Sequence, residues 1–155
     1  MRKSISAYCR KGFTLIELIV VLGIVAVLGT ATLTTARGIQ RRTLNNASLA
    51  LQADLRMAQR MALIEGRRWR TTFDMENNRY FIHPVPRDLA GYIHIVYLPN
   101  GVTIDYFTHA NLEYLPRGTV SSGFRIDLRN GPYIQRLTAT VSAGRIAVFD
   151  IERLA

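Results

Sequence analysis

Glu17 is the residue whose type and position most demand a chemical explanation. It is the only ionisable side chain between positions 13 and 36, and residues 18–36 after it carry no charge at all. A carboxylate in an apolar membrane helix costs a few kcal/mol on insertion scales, so such a group is normally paired and marks a functional position. A backbone cut after Gly12 would create a cationic amine on Phe13, one helical turn before Glu17. That amine, on the same or a neighbouring subunit, could neutralise the carboxylate. The competing reading is a carboxylate that snorkels to the headgroups from near the start of the helix.

The other reactive residue types form no constellation. His83, His94 and His109 are scattered without metal-ligand spacing. Ser121-Ser122-Gly123 lacks the glycine two places before a serine that a nucleophile elbow needs. No glycine-rich phosphate loop is present, and the single cysteine, Cys9, excludes an internal disulfide and a thiolate metal site. The expectation is a chain with no catalytic residue, no metal and no cofactor, a substrate of an enzyme and not an enzyme itself.

The net charge of +9 looks like a signal for a polyanionic partner until it is divided along the chain. Residues 1–12 contribute +4, residues 13–36 contribute −1, and residues 37–66 and 67–155 contribute +3 each. Nearly half of the excess therefore belongs to the first twelve residues. Once these are removed, the charge alone argues weakly for nucleic acid.

Glu17 must be positioned by a helix. Nineteen uncharged residues, 18–36, rise roughly 28 Å at about 1.5 Å each, close to the hydrocarbon thickness of a bilayer. Beyond them Leu44, Ala47, Leu51, Leu55, Ala58 and Ala62 recur in steps of three and four. That spacing is one apolar face of an amphipathic helix, which Gly66 would stop. From residue 68 the period changes to two. Trp69, Thr71, Phe73 and Met75 alternate with polar neighbours, Asn77-Asn78 suits a tight turn, and residues 79–83 return as the hairpin partner before Pro84 and Pro86 break the pattern. Further strands are expected at 92–98 and 102–107 around Pro99-Asn100-Gly101, at 124–128, and at 134–141 and 145–151 after Asn130-Gly131-Pro132. The fold class is α+β: a long N-terminal helix packed on a small, mostly antiparallel β domain of six or seven strands.

The run Lys11-Gly12-Phe13-Thr14-Leu15-Ile16-Glu17-Leu18-Ile19-Val20-Val21-Leu22 resembles the N-terminal motif of type IV prepilins and type II secretion pseudopilins. The resemblance implies four segments: a leader at 1–12, a transmembrane and assembly half of the helix at 13–36, an amphipathic half at 37–66, and an extracytoplasmic β domain at 67–155. It implies cleavage between Gly12 and Phe13 by a prepilin peptidase, N-methylation of Phe13, and a role for Glu17 in guiding the subunit onto a filament of other pilins. It also implies a single pass through the cytoplasmic membrane with the C-terminus outside. Within the family, residues 55–58, 62–66, 115–118, 124–128 and 143–146 are most similar to the GspH/FimT group of minor pilins. That group serves type IV pili, competence pili and secretion pseudopili. The proline common in the membrane helix of major pilins is absent from this sequence.

Some members of that group bind DNA, which makes exposed arginines beside aromatics a second candidate site. Arg68, Arg70 (flanking Trp69), Arg125, Arg129, Arg136 and Arg145 are the candidates for nucleic-acid contact. A solvated sheet face of ion pairs is the competing reading, favoured by Asp127 between Arg125 and Arg129 and by Ala147 where DNA-binding members carry a second arginine.

Overall fold

The computed structural model describes residues 14–86, 93–141 and 144–154, apart from the side chains of 28–37. The expected leader, Gly12 and Phe13 lie outside the described residues. A single helix, α1, runs Leu15–Glu65, and the chain divides into two compact units at Arg37–Gly38.

Among the described residues of the first unit the helix presents an exposed apolar surface. Leu15, Ile16, Leu18, Ile19, Leu22, Ile24, Val25 and Val27 are all more than half exposed. Among the described residues no helix is long and apolar enough to cross a membrane. The run 18–36 that motivated a span continues into the side chains of 28–37, outside that description.

The second unit holds the rest of α1 and nine strands. These are β1 (Arg68–Asp74), β2 (Arg79–Val85), β3 (His94–Tyr97), β4 (Thr103–Phe107), β5 (Asn111–Tyr114), β6 (Phe124–Asn130), β7 (Tyr133–Ala139), β8 (Ile146–Val148) and β9 (Glu152–Arg153). They form two antiparallel sheets, one ordered β3-β2-β1-β5 and the other β4-β6-β7-β8 with β9 also on β7. The six helix positions singled out by their spacing are the ridge of the core. Leu44, Leu51, Leu55, Ala58 and Ala62 are at most 1% exposed and Ala47 is 4% exposed. They pack with Trp69, Ile82 and Leu112 of the first sheet and Ile126, Leu128 and Leu137 of the second. The stacked rings of Phe73 and Phe124, 5.0 Å apart, join the sheets. Gly66 ends the helix with φ +62°, the left-handed conformation that glycine adopts without a Cβ penalty.

Several boundaries differ from the sequence reading. Met75 belongs to the turn 75–78 and is exposed, because Asp74 closes the hairpin early. Its carboxylate accepts from the backbone N–H (3.1 Å) and side-chain amide (2.8 Å) of Asn77 and from Arg79 Nε (3.0 Å). Pro84 does not end β2. It pairs opposite Trp69, and among the described residues β3 pairs only as far as Ile82, so no described neighbour calls on the donor that Pro84 lacks. The Pro99-Asn100-Gly101 turn carries the chain from one sheet to the other instead of closing a hairpin. Asn78 pins that crossing by donating to the Val102 carbonyl (2.6 Å) and accepting from the Ile104 N–H (3.2 Å). The expected strand 145–151 shortens to β8, and neither β9 beyond it nor β5 was foreseen.

Candidate functional site

The first candidate site is the start of α1. Thr14 stands immediately before the first helical residue, and its Oγ1 accepts a hydrogen bond from the Glu17 backbone N–H at 3.3 Å. The Thr14 carbonyl accepts from Leu18 N–H at 3.2 Å. A hydroxyl at the N-cap and a glutamate three residues later is the arrangement of a capping box, which satisfies helix N–H groups that have no intrahelical partner. Glu17 therefore occupies the first turn, where the partial positive charge of the helix N-terminus favours a carboxylate. Its side chain is exposed. The cap was legible as Thr14-x-x-Glu17 in the sequence, although the motif reading attended only to the glutamate.

The second candidate set is divided by its partners. Arg70 donates from Nε to Glu113 at 2.7 Å, with a second, shorter bond from Nη2, and Arg68 lies 4.0 Å from the same carboxylate. Arg125 and Arg136 both bind Asp127, through Nε at 3.0 and 3.1 Å respectively. Arg129 donates to the Gly131 carbonyl at 3.0 Å and lies 3.4 Å from Asp105. Five of the six arginines thus already face a carboxylate, and they do not converge on one surface. Trp69 is fully buried, with its indole N–H on Glu65 at 3.2 Å, so it offers no stacking face.

Asp127 is not the solvated acid that its place between arginines suggested. It is 2% exposed in the centre of its sheet, between β4 and β7. Burial pushes its carboxyl pKa up, but the hydrogen bonds from Arg125 and Arg136 outweigh that, and the net shift is downward. A carboxyl with a depressed folded pKa adds stability above its unfolded value near 3.8 and loses it as pH falls through the lower folded value. Asp127→Asn should therefore cost about 1–2 kcal/mol at neutral pH. The gap to the parent should close as the pH drops below 3.8. Urea midpoints across the acid range test this, and a gap independent of pH would refute the assignment.

Arg145, the sixth arginine, behaves differently. Among the described residues it has no carboxylate partner, and it lines a cleft of about 490 Å³ with Arg56, Arg60, Gln59 and Leu63. Arg56 and Arg60 are likewise unpaired. Their spacing of four on a helix was visible in the sequence, whereas their meeting with Arg145 depends on the turn before β8. Among the described residues no group of three or more metal-ligating side chains comes together.

Residues 8–33 match the prokaryotic N-terminal methylation motif. No curated protein matches the whole sequence. Among solved structures, the minor pseudopilin EpsH from the type 2 secretion system of Vibrio cholerae superposes with a TM-score of 0.58 at 16% identity, over 68% of this chain and 95% of that one. The type IV minor pilin FimU of Pseudomonas aeruginosa superposes with a TM-score of 0.57 at 18% identity, over 71% of this chain and 90% of that one. The chain carries that methylation motif at its start and shares the fold of these two proteins. The α+β reading, with a long helix and antiparallel sheets, is the fold of this chain.

Proposed function

We propose that this chain is a minor pilin or pseudopilin. Its leader, residues 1–12, is removed between Gly12 and Phe13 by a prepilin peptidase, Phe13 is N-methylated, and Glu17 is the assembly carboxylate. Residues 13–36 anchor the protein as a single pass in the cytoplasmic membrane with the second unit outside. The protein then joins other pilins in the filament of a type IV pilus, a competence pilus or a type II secretion pseudopilus. One observation carries this reading: the methylation motif spans residues 8–33 and includes the capped helix start that presents Glu17. The exposed apolar surface of the first unit supports it, because such a surface needs lipid or neighbouring helices to cover it. The test is the N-terminal residue of the mature protein, read by mass spectrometry on membranes of the native host. N-methylphenylalanine at position 13 is expected. An intact Met1 would overturn the reading.

A second reading, contact with DNA during uptake, draws on the unpaired Arg56, Arg60 and Arg145 around one cleft. Duplex binding by the full chain should weaken steeply with salt and fall on charge reversal of these three arginines. Unchanged binding by the triple variant would exclude that cleft as the contact.

A further inference from the structure

A second cleft, of about 330 Å³, lies beside the first turns of α1 in the second unit and is lined by Arg41, Arg42, Asn45, Gln135, Asp150 and Ile151. Its size falls at the small end of ordinary ligand pockets. Three features set it apart from the rest of the surface. Among the described residues Arg41 and Arg42 have no ion-pair or hydrogen-bond partner, although seven other arginines of this unit have found a carboxylate. Asp150 lines the same cleft and is also unpaired. Gln135 is 3% exposed, and its amide nitrogen donates to the Phe149 carbonyl (3.1 Å) and to Asn45 Oδ1 (3.4 Å). Its carbonyl oxygen Oε1 accepts nothing. A buried acceptor left without a donor forfeits its solvation uncompensated, so it points to a group that supplies one.

The chemistry required is of two signs. Two guanidiniums call for an anion with several acceptor oxygens, for which a phosphate is the natural match. A free carboxylate and an unused carbonyl call for a cationic donor such as a primary ammonium. A simple anion would leave Asp150 and Gln135 unanswered and would be repelled by the former. The mixed signs likewise separate this cleft from the wholly cationic one at Arg56, Arg60 and Arg145. The position in the chain adds a source: Arg41 follows the last residue of the uncharged run 18–36 by five places, about one and a half helical turns. In a membrane-anchored chain that is the level of the lipid headgroups.

We infer that the cleft binds an aminoalkyl phosphate, with the phosphate on Arg41 and Arg42 and the ammonium toward Asp150 and Gln135 Oε1, as presented by an ethanolamine phospholipid headgroup. The lipid source rests on the membrane-anchored reading above, whereas the headgroup chemistry does not. Such a contact holds the second unit against the membrane surface before the subunit leaves the bilayer for a filament.

The test uses the purified full chain in a neutral detergent, titrated with dihexanoyl-phosphatidylethanolamine, dihexanoyl-phosphatidylglycerol and free phosphoethanolamine. The readout is the side-chain amide resonance of Gln135. The ethanolamine lipid should shift that resonance, and R41Q/R42Q should weaken the binding about tenfold or more. D150N should abolish the preference for ethanolamine over glycerol while leaving binding of the phosphate. Equal binding by R41Q/R42Q, or glycerol lipid bound as tightly as ethanolamine lipid by the parent, would overturn the assignment. Response to free phosphoethanolamine but not to the lipid would overturn the lipid source and keep the ligand chemistry. Because processing at Gly12 is measured separately, an uncleaved chain that binds the headgroup sinks the pilin reading alone. A cleaved chain that does not bind sinks only this one.

Discussion

Glu17→Gln should leave cleavage after Gly12 intact and lower incorporation into filaments at least about tenfold, a loss on the scale of one uncompensated charge in an apolar setting. Glutamine is chosen because the structure gives Glu17 two separable duties. At the third position of α1, its backbone N–H is bound by Thr14 Oγ1, and a glutamate there is the residue type of a capping box. Glutamine retains that capping chemistry and removes only the charge. Valine removes both. If charge pairing with the amine of Phe13 drives assembly, Gln and Val variants fail alike. If the glutamate merely starts the helix, the Gln variant assembles like the parent and only the Val variant is impaired. Thr14→Ala provides the third corner, since it removes the cap at a cost of about 1 kcal/mol and keeps the carboxylate. It should assemble with at most a modest defect. The measurement is the amount of each variant in sheared or purified filaments relative to membranes. Normal incorporation of Glu17→Gln would remove the role assigned to the charge.

The helix was the most legible part of the chain because its signals are periodic and long. The spacing of Leu44, Ala47, Leu51, Leu55, Ala58 and Ala62 identifies the face that the structure buries, and Gly66 marks the stop. Strands with bulky alternating residues, such as Trp69-Thr71-Phe73 and Phe124-Ile126-Leu128, were equally visible. The misses have physical causes. Strand β5, Asn111–Tyr114, is four residues with only Leu112 and Tyr114 turned inward, too short to show a period. Pro84 reads as a breaker, and its pairing with Trp69 across β1 is a tertiary fact that no local pattern shows. For the candidate sites the limit was tertiary pairing. A sequence places Arg70 and Arg136 in strands, but does not show that Glu113 and Asp127 lie across from them. Conversely, Arg56 and Arg145 are 89 positions apart and share a cleft only because the β7–β8 turn returns to the helix.

That return depends on Gly144, and Gly144→Ala should be among the most destabilising single-methyl additions in the chain. Gly144 has φ +57°, a conformation that costs a residue with a side chain about 1–2 kcal/mol. Its backbone N–H donates to the Thr140 carbonyl at 2.9 Å, which fixes the turn that leads into β8. A Cβ built there would lie under 3.0 Å from the Gly118 carbonyl oxygen and from Gln59 Nε2. Those two groups are themselves hydrogen-bonded at 2.6 Å, tying the loop before Val120 to the helix. The amide of Gln59 can swing aside, but a backbone carbonyl can retreat only by moving its loop, and that loop is held by Gly118 N–H on the Leu115 carbonyl and Leu115 N–H on the Thr119 carbonyl, both at 2.8 Å. Helix, loop and turn thus meet at Gln59, Gly118 and Gly144. Strain and lost packing together should cost about 3 kcal/mol or more, the range of severe core substitutions. Gly38→Ala is the matched control. It adds the same methyl within α1, where nothing lies within 4 Å, and should stabilise by up to about 1 kcal/mol through helix propensity. Urea midpoints of both variants in one detergent decide the matter. A Gly144→Ala protein within about 0.5 kcal/mol of the parent would mean that the crossing of helix, loop and turn is looser than this geometry requires.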